Sequence, residues 1–185
     1  MIRILSRSPR QYLEQGLTQC GAYTVKAVLS AYDKDANDHP RDYQPNWLAK
    51  YTGVNQGPHL WPKVLQAHGL PAEERYATNL SDAERLALLK SLLDSDNPVM
   101  LRIGNGYAKS GKYHPWAAEL IGHWISLWGY DDEKQIFYVY DSCVAKSRYD
   151  KSIPIGNTTR TFSEILRDWG KGFPFAWRYS YIKVG

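Results

Sequence analysis

Two apolar runs separated by a polar turn constrain the fold of this 185-residue chain most strongly. Residues 123–130 and 136–141 are dominated by Val, Ile, Trp, Tyr and Phe, whereas residues 131–135 are polar. β-Branched and aromatic residues favour strands, and two such runs joined by a short polar segment indicate an antiparallel hairpin. The chain is therefore predicted to contain an antiparallel sheet.

The register of this hairpin decides which polar side chains meet. With the turn centred on Asp132, His123 and Asp141 lie nine positions away on either side and face each other. Opposed residues have Cβ atoms about 4.5–5.5 Å apart, close enough for a carboxylate to accept a hydrogen bond from an imidazole and fix its tautomer. A turn centred half a residue away would pair His123 with Tyr140 instead.

A thiol stands at the start of a predicted helix that ends near Tyr32. After Cys20, residues suited to a buried stripe recur at three- and four-residue steps: Tyr23, Ala27, Val28, Ala31 and Tyr32. The free N–H groups and the positive dipole end of a helix favour thiolate. Cys20 is thus a candidate nucleophile, and the alternative is a small buried apolar residue.

Thiol, imidazole, carboxylate and a side-chain amide are the groups of a papain-type cysteine hydrolase. The segments that carry them are QGLTQCGAY (15–23), GHWISLWGYDD (122–132), YVYD (138–141) and the closing TFSEILRDW (161–169) with YIKV (181–184). They resemble papain-clan peptidases related to the bacteriocin leader-processing, or double-glycine, peptidases.

This resemblance implies one papain-like α+β domain over residues 1–185, with a helical lobe packed on a twisted antiparallel sheet, that cleaves peptide amide bonds. It implies that Cys20 is the nucleophile, His123 the base and Asp141 the orienting residue. It also implies an oxyanion-hole glutamine, assigned here to Gln15. The glutamine of the family usually lies six residues before the cysteine, where this chain has Glu14, so Gln19 is the alternative donor.

The rest of the chain fits this α+β order. Capping boxes at Ser81 and Thr161 predict two helices, residues 99–103 read as a buried strand and residues 177–184 as the final strand. Residues 33–45 are predicted to be a polar loop. Residues 106–112 match a phosphate-loop spacing, but Tyr113 replaces the Ser or Thr that would bind magnesium, so they are interpreted as a loop rimming the cleft.

Composition limits the other function classes. The net charge of +4 is spread along the chain, so no nucleic-acid partner is expected. The two cysteines, Cys20 and Cys143, form neither a zinc motif nor a disulfide framework, so no metal and no cofactor are expected. No signal peptide or membrane span is apparent, which favours a cytoplasmic location, although a mature domain without its leader would look the same. The expected partner is a peptide or protein substrate, and the default state is a monomer.

Two alternatives stay open at this point. The same triad could serve a peptidoglycan amidase or an acyl- or amidotransferase. The fold could also be catalytically inactive and bind peptide or carbohydrate through its aromatic residues, which include 14 Tyr and 7 Trp.

Overall fold

The computed structural model describes residues 1–16, 18–35, 39–53, 57–108 and 110–185. Within these residues the architecture is α+β, with one sheet of seven antiparallel strands and six α-helices. The strands are β1 (Ile2–Ile4), β2 (Ala72–Tyr76), β3 (Val99–Gly104), β4 (Gly122–Asp131), β5 (Ile136–Tyr140), β6 (Thr158–Thr161) and β7 (Ser180–Val184). The helices are α1 (Cys20–Ala31), α2 (Trp47–Thr52), α3 (Leu60–Ala67), α4 (Asp82–Asp94), α5 (Pro115–Leu120) and α6 (Phe162–Trp169).

The long strand β4 organises the sheet. The strand order is β2-β7-β3-β4-β5-β6, and β1 pairs with the second half of β4. Along one edge β4 pairs with β3 and then with β1, and along the other edge it pairs with β5. The β4–β5 hairpin expected from the sequence is therefore present and central, which confirms the antiparallel sheet.

The predicted register of that hairpin is wrong. Asp131 pairs with Ile136, and Ser126 pairs with Tyr140, so a continuation of the ladder would bring His123 level with Cys143 and not with Asp141. The turn is displaced because the Asp131 carboxylate accepts hydrogen bonds from the backbone N–H groups of residues 133 and 134, at 2.9 and 3.2 Å. Such a side-chain turn moves the reversal past Asp132.

A bulge between Leu127 and Gly129 shifts the register once more. The backbone of β1 lies so close at this point that a Cβ on Gly129 would come within 2.3 Å of the Arg3 carbonyl oxygen. An extra residue in one strand displaces all later pairs by one position. Sequence alternation alone does not reveal where that residue falls.

Helix α1 packs against β4 and places the first turn of the helix near the start of that strand. Val25, Val28 and Leu29 are fully buried, and the Thr24 hydroxyl donates to the Trp124 carbonyl at 3.1 Å. The buried apolar stripe after Cys20 is the reason this segment forms a helix on the sheet. The predicted helix from Cys20 to about Tyr32 is confirmed.

Other predicted elements also hold, with differences at their ends. Both capping boxes are present, with Ser81 and Thr161 accepting from the N–H groups of Glu84 and Glu164. The final strand begins at Ser180 because residues 175–177 form a 3-10 turn. The predicted polar loop contains a 3-10 helix, Pro40–Tyr43, and its residues 36–38 lie outside the described residues. No helix in the described ranges combines the length and apolar character that crossing a bilayer requires.

Candidate active site

Cys20 is the first residue of α1 and lines a cavity of about 150 Å³. Gln15, His123, Cys143 and Asn105 line the same cavity. The N-cap, Gln19, makes no side-chain cap hydrogen bond to the helix. The thiol therefore lies at the positive end of the helix, facing a space bounded by polar groups.

His123 and Asp141 form a buried pair beside this cavity. His123 Nε2 lies 2.8 Å from Asp141 Oδ1, and the two side chains are 2% and 1% exposed. The same Oδ1 accepts from the Cys143 backbone N–H at 2.9 Å. With Nε2 bound to the carboxylate, Nδ1 is the ring nitrogen left to exchange a proton with a thiol.

Asp141 follows β5 directly, and the side chain of Asn157 fixes its backbone. Asn157 accepts from the Asp141 N–H and donates to the Asp141 carbonyl, both at 2.9 Å. On the carboxylate, Arg160 Nη2 donates to Oδ2 at 2.8 Å. These contacts hold Asp141 against His123 although the two residues are not opposed in the ladder.

Cys143 brings a second thiol to the same imidazole. Its Sγ lies 3.8 Å from His123 Nδ1 and 3.7 Å from Asn105 Nδ2. The ligand atoms of His123, Asp141 and Cys143 all lie within 4.8 Å of one another, so these three groups also have the composition of a small metal site. Catalysis by a thiol uses the same three types of group, a thiol, an imidazole and a carboxylate, without a metal.

Electrostatics favour charge separation in this site. Burial raises the pKa of the Cys20 thiol, but the hydrogen bond and positive charge of His123, with the Trp124 and Gly21 amides, lower that pKa below its ordinary value. Burial lowers the pKa of His123, whereas the Cys143 thiol and Asp141 carboxylate raise it to well above the ordinary value. These shifts favour a thiolate on Cys20 beside an imidazolium on His123.

The Asp141 carboxylate is held ionised by its two cationic neighbours. Burial raises the pKa of this carboxyl, and the charges of His123 and Arg160 together lower it far below its usual range. An ionised carboxylate can accept from His123, Arg160 and the Cys143 N–H at once.

The two candidate oxyanion-hole glutamines are placed differently. The Oε1 atom of Gln15 accepts from the Ser142 hydroxyl at 2.5 Å, which leaves its amide N–H groups for the cavity. The amide of Gln19 donates to the carbonyls of Ala49 and Lys50 at 3.3 and 3.0 Å. Gln19 Oε1 accepts from Gln44 at 2.9 Å, so this side chain is occupied in packing α2 beside α1.

The structure therefore brings three of the predicted site residues, Cys20, His123 and Gln15, to one cavity, and the fourth, Asp141, lies beside it in contact with His123. Sequence reasoning missed the groups that hold them, namely Arg160, Asn157 and Ser142. Ser142 adjoins Asp141 in sequence and could have been suspected. Arg160 lies in a short polar segment, residues 158–161, with no pattern that points to Asp141.

Comparisons with known proteins agree with this fold. A profile of the Peptidase C39-like family matches residues 7–169. A search among curated proteins finds no match.

Solved structures show the same likeness. A double-glycine-motif protease from an AMS/PCAT transporter, crystallised with the leader peptide, is 17% identical, with a TM-score of 0.55 and coverage of 100% of this chain and 98% of that one. A protein described as a C39-like peptidase from Bacillus anthracis is 12% identical, with a TM-score of 0.60 and the same coverage of both chains. The N-terminal peptidase C39-like domain of a toxin secretion ATP-binding protein from Vibrio parahaemolyticus is 14% identical, with a TM-score of 0.50 and coverage of 91% and 98%.

At these identities the structural matches establish the fold, which is the papain-like α+β fold expected from the sequence. The profile covers most of the chain, including Cys20, His123 and Asp141. The chain belongs to the Peptidase C39-like family.

Proposed function

We propose that this protein is a cysteine peptidase that hydrolyses a peptide amide bond through a thioester on Cys20. The observation that carries the proposal is the buried His123–Asp141 pair, whose 2.8 Å hydrogen bond through Nε2 leaves Nδ1 of the imidazole for a thiol, with Cys20 and His123 lining the same cavity. A base held by a carboxylate beside a thiol at a helix start is the arrangement that nucleophilic thiol catalysis requires.

The roles follow from the atoms that remain available. His123 Nδ1 takes the Cys20 proton, and the sulfur attacks the substrate carbonyl carbon. The oxyanion is stabilised by the Cys20 backbone N–H and by the amide of Gln15. His123 Nδ1–H then protonates the leaving amine, and the bond between carbonyl carbon and nitrogen breaks. Water, deprotonated by the same nitrogen, hydrolyses the thioester and restores the thiol.

The choice of Cys20 over Cys143 rests on the backbone around each thiol. Cys20 begins a 12-residue helix, so its own N–H has no partner within the helix and can face an anion. The Cys143 N–H already donates to Asp141, so it cannot serve an oxyanion. Cys143 is therefore proposed to line the site, with Cys20 as the nucleophile.

A peptide is the proposed substrate class. One structurally similar protein was crystallised with a leader peptide, and the cavity at Cys20 is a partly apolar recess suited to a peptide segment. Cofactors are not part of the proposed chemistry.

The test is to trap the acyl-enzyme. Purified protein is incubated with a peptide library and acid-quenched, and mass spectrometry then locates any thioester and identifies the acyl peptide. A peptide acyl group on Cys20, lost in Cys20→Ala and retained in Cys143→Ser, supports the proposal. Peptide cleavage that persists in Cys20→Ala would overturn it. Release of peptide from purified peptidoglycan, with no cleavage of the library, would assign the site to the amidase alternative.

A further inference from the structure

We propose that Arg160 is a positioning residue of this active site, whose buried guanidinium keeps Asp141 oriented and ionised and thereby maintains the reactive Cys20–His123 pair. This inference rests on the proposed function and adds a fourth charged group to it. Arg160 contacts Asp141 and does not line the cavity at Cys20, so it acts through Asp141.

The geometry places Arg160 on the same side of the sheet as Asp141. In the β5–β6 ladder Arg160 pairs with Phe137. Residues two apart along a strand share a face of the sheet, so Val139 and the position of Asp141 lie on the same face as Phe137 and Arg160. From there Nη2 reaches Asp141 Oδ2 at 2.8 Å. The guanidinium approaches the carboxylate opposite to His123, so the carboxylate is held from both sides.

The ring of Tyr107 fixes the orientation of the Arg160 guanidinium. Arg160 Cζ lies 3.8 Å from the centre of the Tyr107 ring, and the Tyr107 hydroxyl donates to Glu164. Stacking on an aromatic face restricts a guanidinium to one plane. Since Arg160 is only 8% exposed, its orientation is set by protein groups and not by water.

The placement of the buried charges explains why a cation is needed beside Asp141. In the reactive state Cys20 and Asp141 are negative and His123 is positive. The buried Arg102 guanidinium acts electrostatically on Cys20, whereas Arg160 donates to the Asp141 carboxylate itself and so offsets the charge of that group. Without Arg160, the low-dielectric surroundings favour protonation of either Cys20 or Asp141. Protonation of Cys20 removes the thiolate–imidazolium pair, and protonation of Asp141 weakens the support of that pair.

Stability alone gives no reason for such a pair. Buried ion pairs are often replaceable by apolar residues without loss of stability, because their desolvation offsets their attraction. Arg160 also carries a buried Nε with no hydrogen-bond partner within the described part of the chain, a further unfavourable desolvation. The presence of the buried guanidinium is explained by its effect on Asp141, which it keeps oriented and ionised.

Other ionisable groups near this pair do not replace the contact. Those that face Asp141 or Arg160 from the surrounding elements are His123, Cys143, Tyr140, Tyr149, Tyr107 and Glu164. Arg148 lines a second cavity, separate from the one at Cys20, to which Asp141 and Arg160 also contribute. Among the contacts described, His123 and Arg160 are the cationic side chains that hydrogen-bond to the Asp141 carboxylate.

The experiment measures the reactivity of Cys20 directly. Wild type, Arg160→Met, Arg160→Gln, Arg160→Lys and Arg148→Met are treated with iodoacetamide from pH 4 to pH 10, and mass spectrometry follows alkylation of the Cys20 peptide. Arg148→Met is the matched control, because it removes a guanidinium from the wall of the adjoining cavity but leaves the Arg160–Asp141 contact in place. Circular dichroism at each pH verifies that each variant is folded.

Loss of the cation is expected to move the alkylation midpoint of Arg160→Met to higher pH and to slow alkylation at pH 6 at least tenfold. Arg160→Lys, which keeps the charge, should recover most of the rate, and Arg148→Met should keep the wild-type midpoint. Should Arg160→Met not fold, Arg160→Gln decides, because it keeps a donor to Asp141 but carries no charge.

An unchanged midpoint in a folded, uncharged Arg160 variant overturns this inference while leaving the proposed function intact. If wild-type Cys20 reacts only as an ordinary thiol, with a midpoint near 8.5, the proposed function itself fails. The two failures are therefore distinguishable.

Discussion

His123 Nε2 lies 2.8 Å from Asp141 Oδ1, although the two residues are not opposed across the β4–β5 ladder. The ladder ends at Ser126 and Tyr140, before either residue is reached. Their contact is made where the chain leaves β5, and the side chains of Asn157 and Arg160 hold it in place. The geometry of the His123–Asp141 pair therefore depends on residues of the β6 region as much as on the hairpin.

The first prediction concerns the two thiols. Cys20→Ala is expected to lower kcat by at least about four orders of magnitude, because no other group at the helix start can attack the carbonyl. Cys143→Ser should retain cleavage, since the nucleophile is Cys20 and serine keeps a hydroxyl beside His123 Nδ1. Steady-state cleavage of a peptide identified by acyl-enzyme trapping measures both. Inactive Cys143→Ser beside active Cys20→Ala would reverse the assignment.

The second prediction concerns Asp141 and its two partners. Asp141→Asn should lower kcat about 10⁴-fold, because the amide favours the wrong imidazole tautomer. It should also destabilise the fold by roughly 3–5 kcal/mol, since Arg160 is left as a buried cation without its carboxylate.

A double variant separates these two effects. Asp141→Asn with Arg160→Met is expected to regain much of the stability in urea unfolding but none of the activity. Recovery of activity in the double variant would contradict the role given to the carboxylate.

The third prediction is a pH optimum of stability set by the same pair. The pKa of Asp141 is depressed in the folded state, so its contribution is present above the unfolded value of about 3.9 and is lost as the pH falls toward the folded pKa. The pKa of His123 is raised, so its contribution is present below about 6.5 and is lost as the pH rises through the folded pKa.

The pair therefore contributes most between about pH 4 and pH 6.5. Urea unfolding of wild type and His123→Gln from pH 4 to pH 9 measures this. The free energy of unfolding should fall less steeply above pH 6.5 in His123→Gln than in wild type. Identical slopes would show that His123 does not change its pKa on folding.

The sequence allowed the prediction of those elements in which local pattern and tertiary environment agree. The buried stripe after Cys20, the capping boxes at Ser81 and Thr161 and the apolar runs of β4 and β5 all show the periodicity of the structure they form. The four candidate site residues were proposed because their chemical types occur in segments resembling a known family.

The remaining elements have weak local signals. Strand β2 has the sequence AEERY and β6 has TTRT, and both are polar segments that become strands by pairing with β7 and β5. The hairpin register depended on a side-chain turn at Asp131 and on the bulge near Gly129, neither of which alternation encodes. Arg160 could not be assigned because its partner is fixed only by the sheet order.

The fourth prediction separates the two glutamines. Gln15→Ala should lower kcat about 10²–10³-fold with little change in stability, because it removes an oxyanion donor. Gln19→Ala should instead lower the free energy of unfolding by about 1–3 kcal/mol, because the Gln44 amide and the Lys50 carbonyl lose this partner and the Ala49 carbonyl keeps only the Gly53 N–H. Peptide cleavage and urea unfolding are measured on both variants. An exchange of the two outcomes would make Gln19 the oxyanion donor.

The fifth prediction concerns the bulge that sets the register. In Gly129→Ala the new Cβ would meet the Arg3 carbonyl oxygen at 2.3 Å, so β1 and β4 must separate there. We expect the free energy of unfolding to fall by roughly 1–3 kcal/mol, as overpacking typically costs. Residues 2–4 should also exchange their amide hydrogens faster, since their pairing with Gly129–Asp131 is disturbed.

Ile4→Ala is the matched control, because it shortens an exposed side chain of β1 without touching the backbone contact. It should change stability by less than about 0.5 kcal/mol. Peptide cleavage by Gly129→Ala should stay near wild type at temperatures where the variant is folded, since His123 lies in the half of β4 that pairs with β3. A large loss of cleavage with unchanged stability would mean that the bulge positions His123 directly, and that the two halves of β4 are not independent.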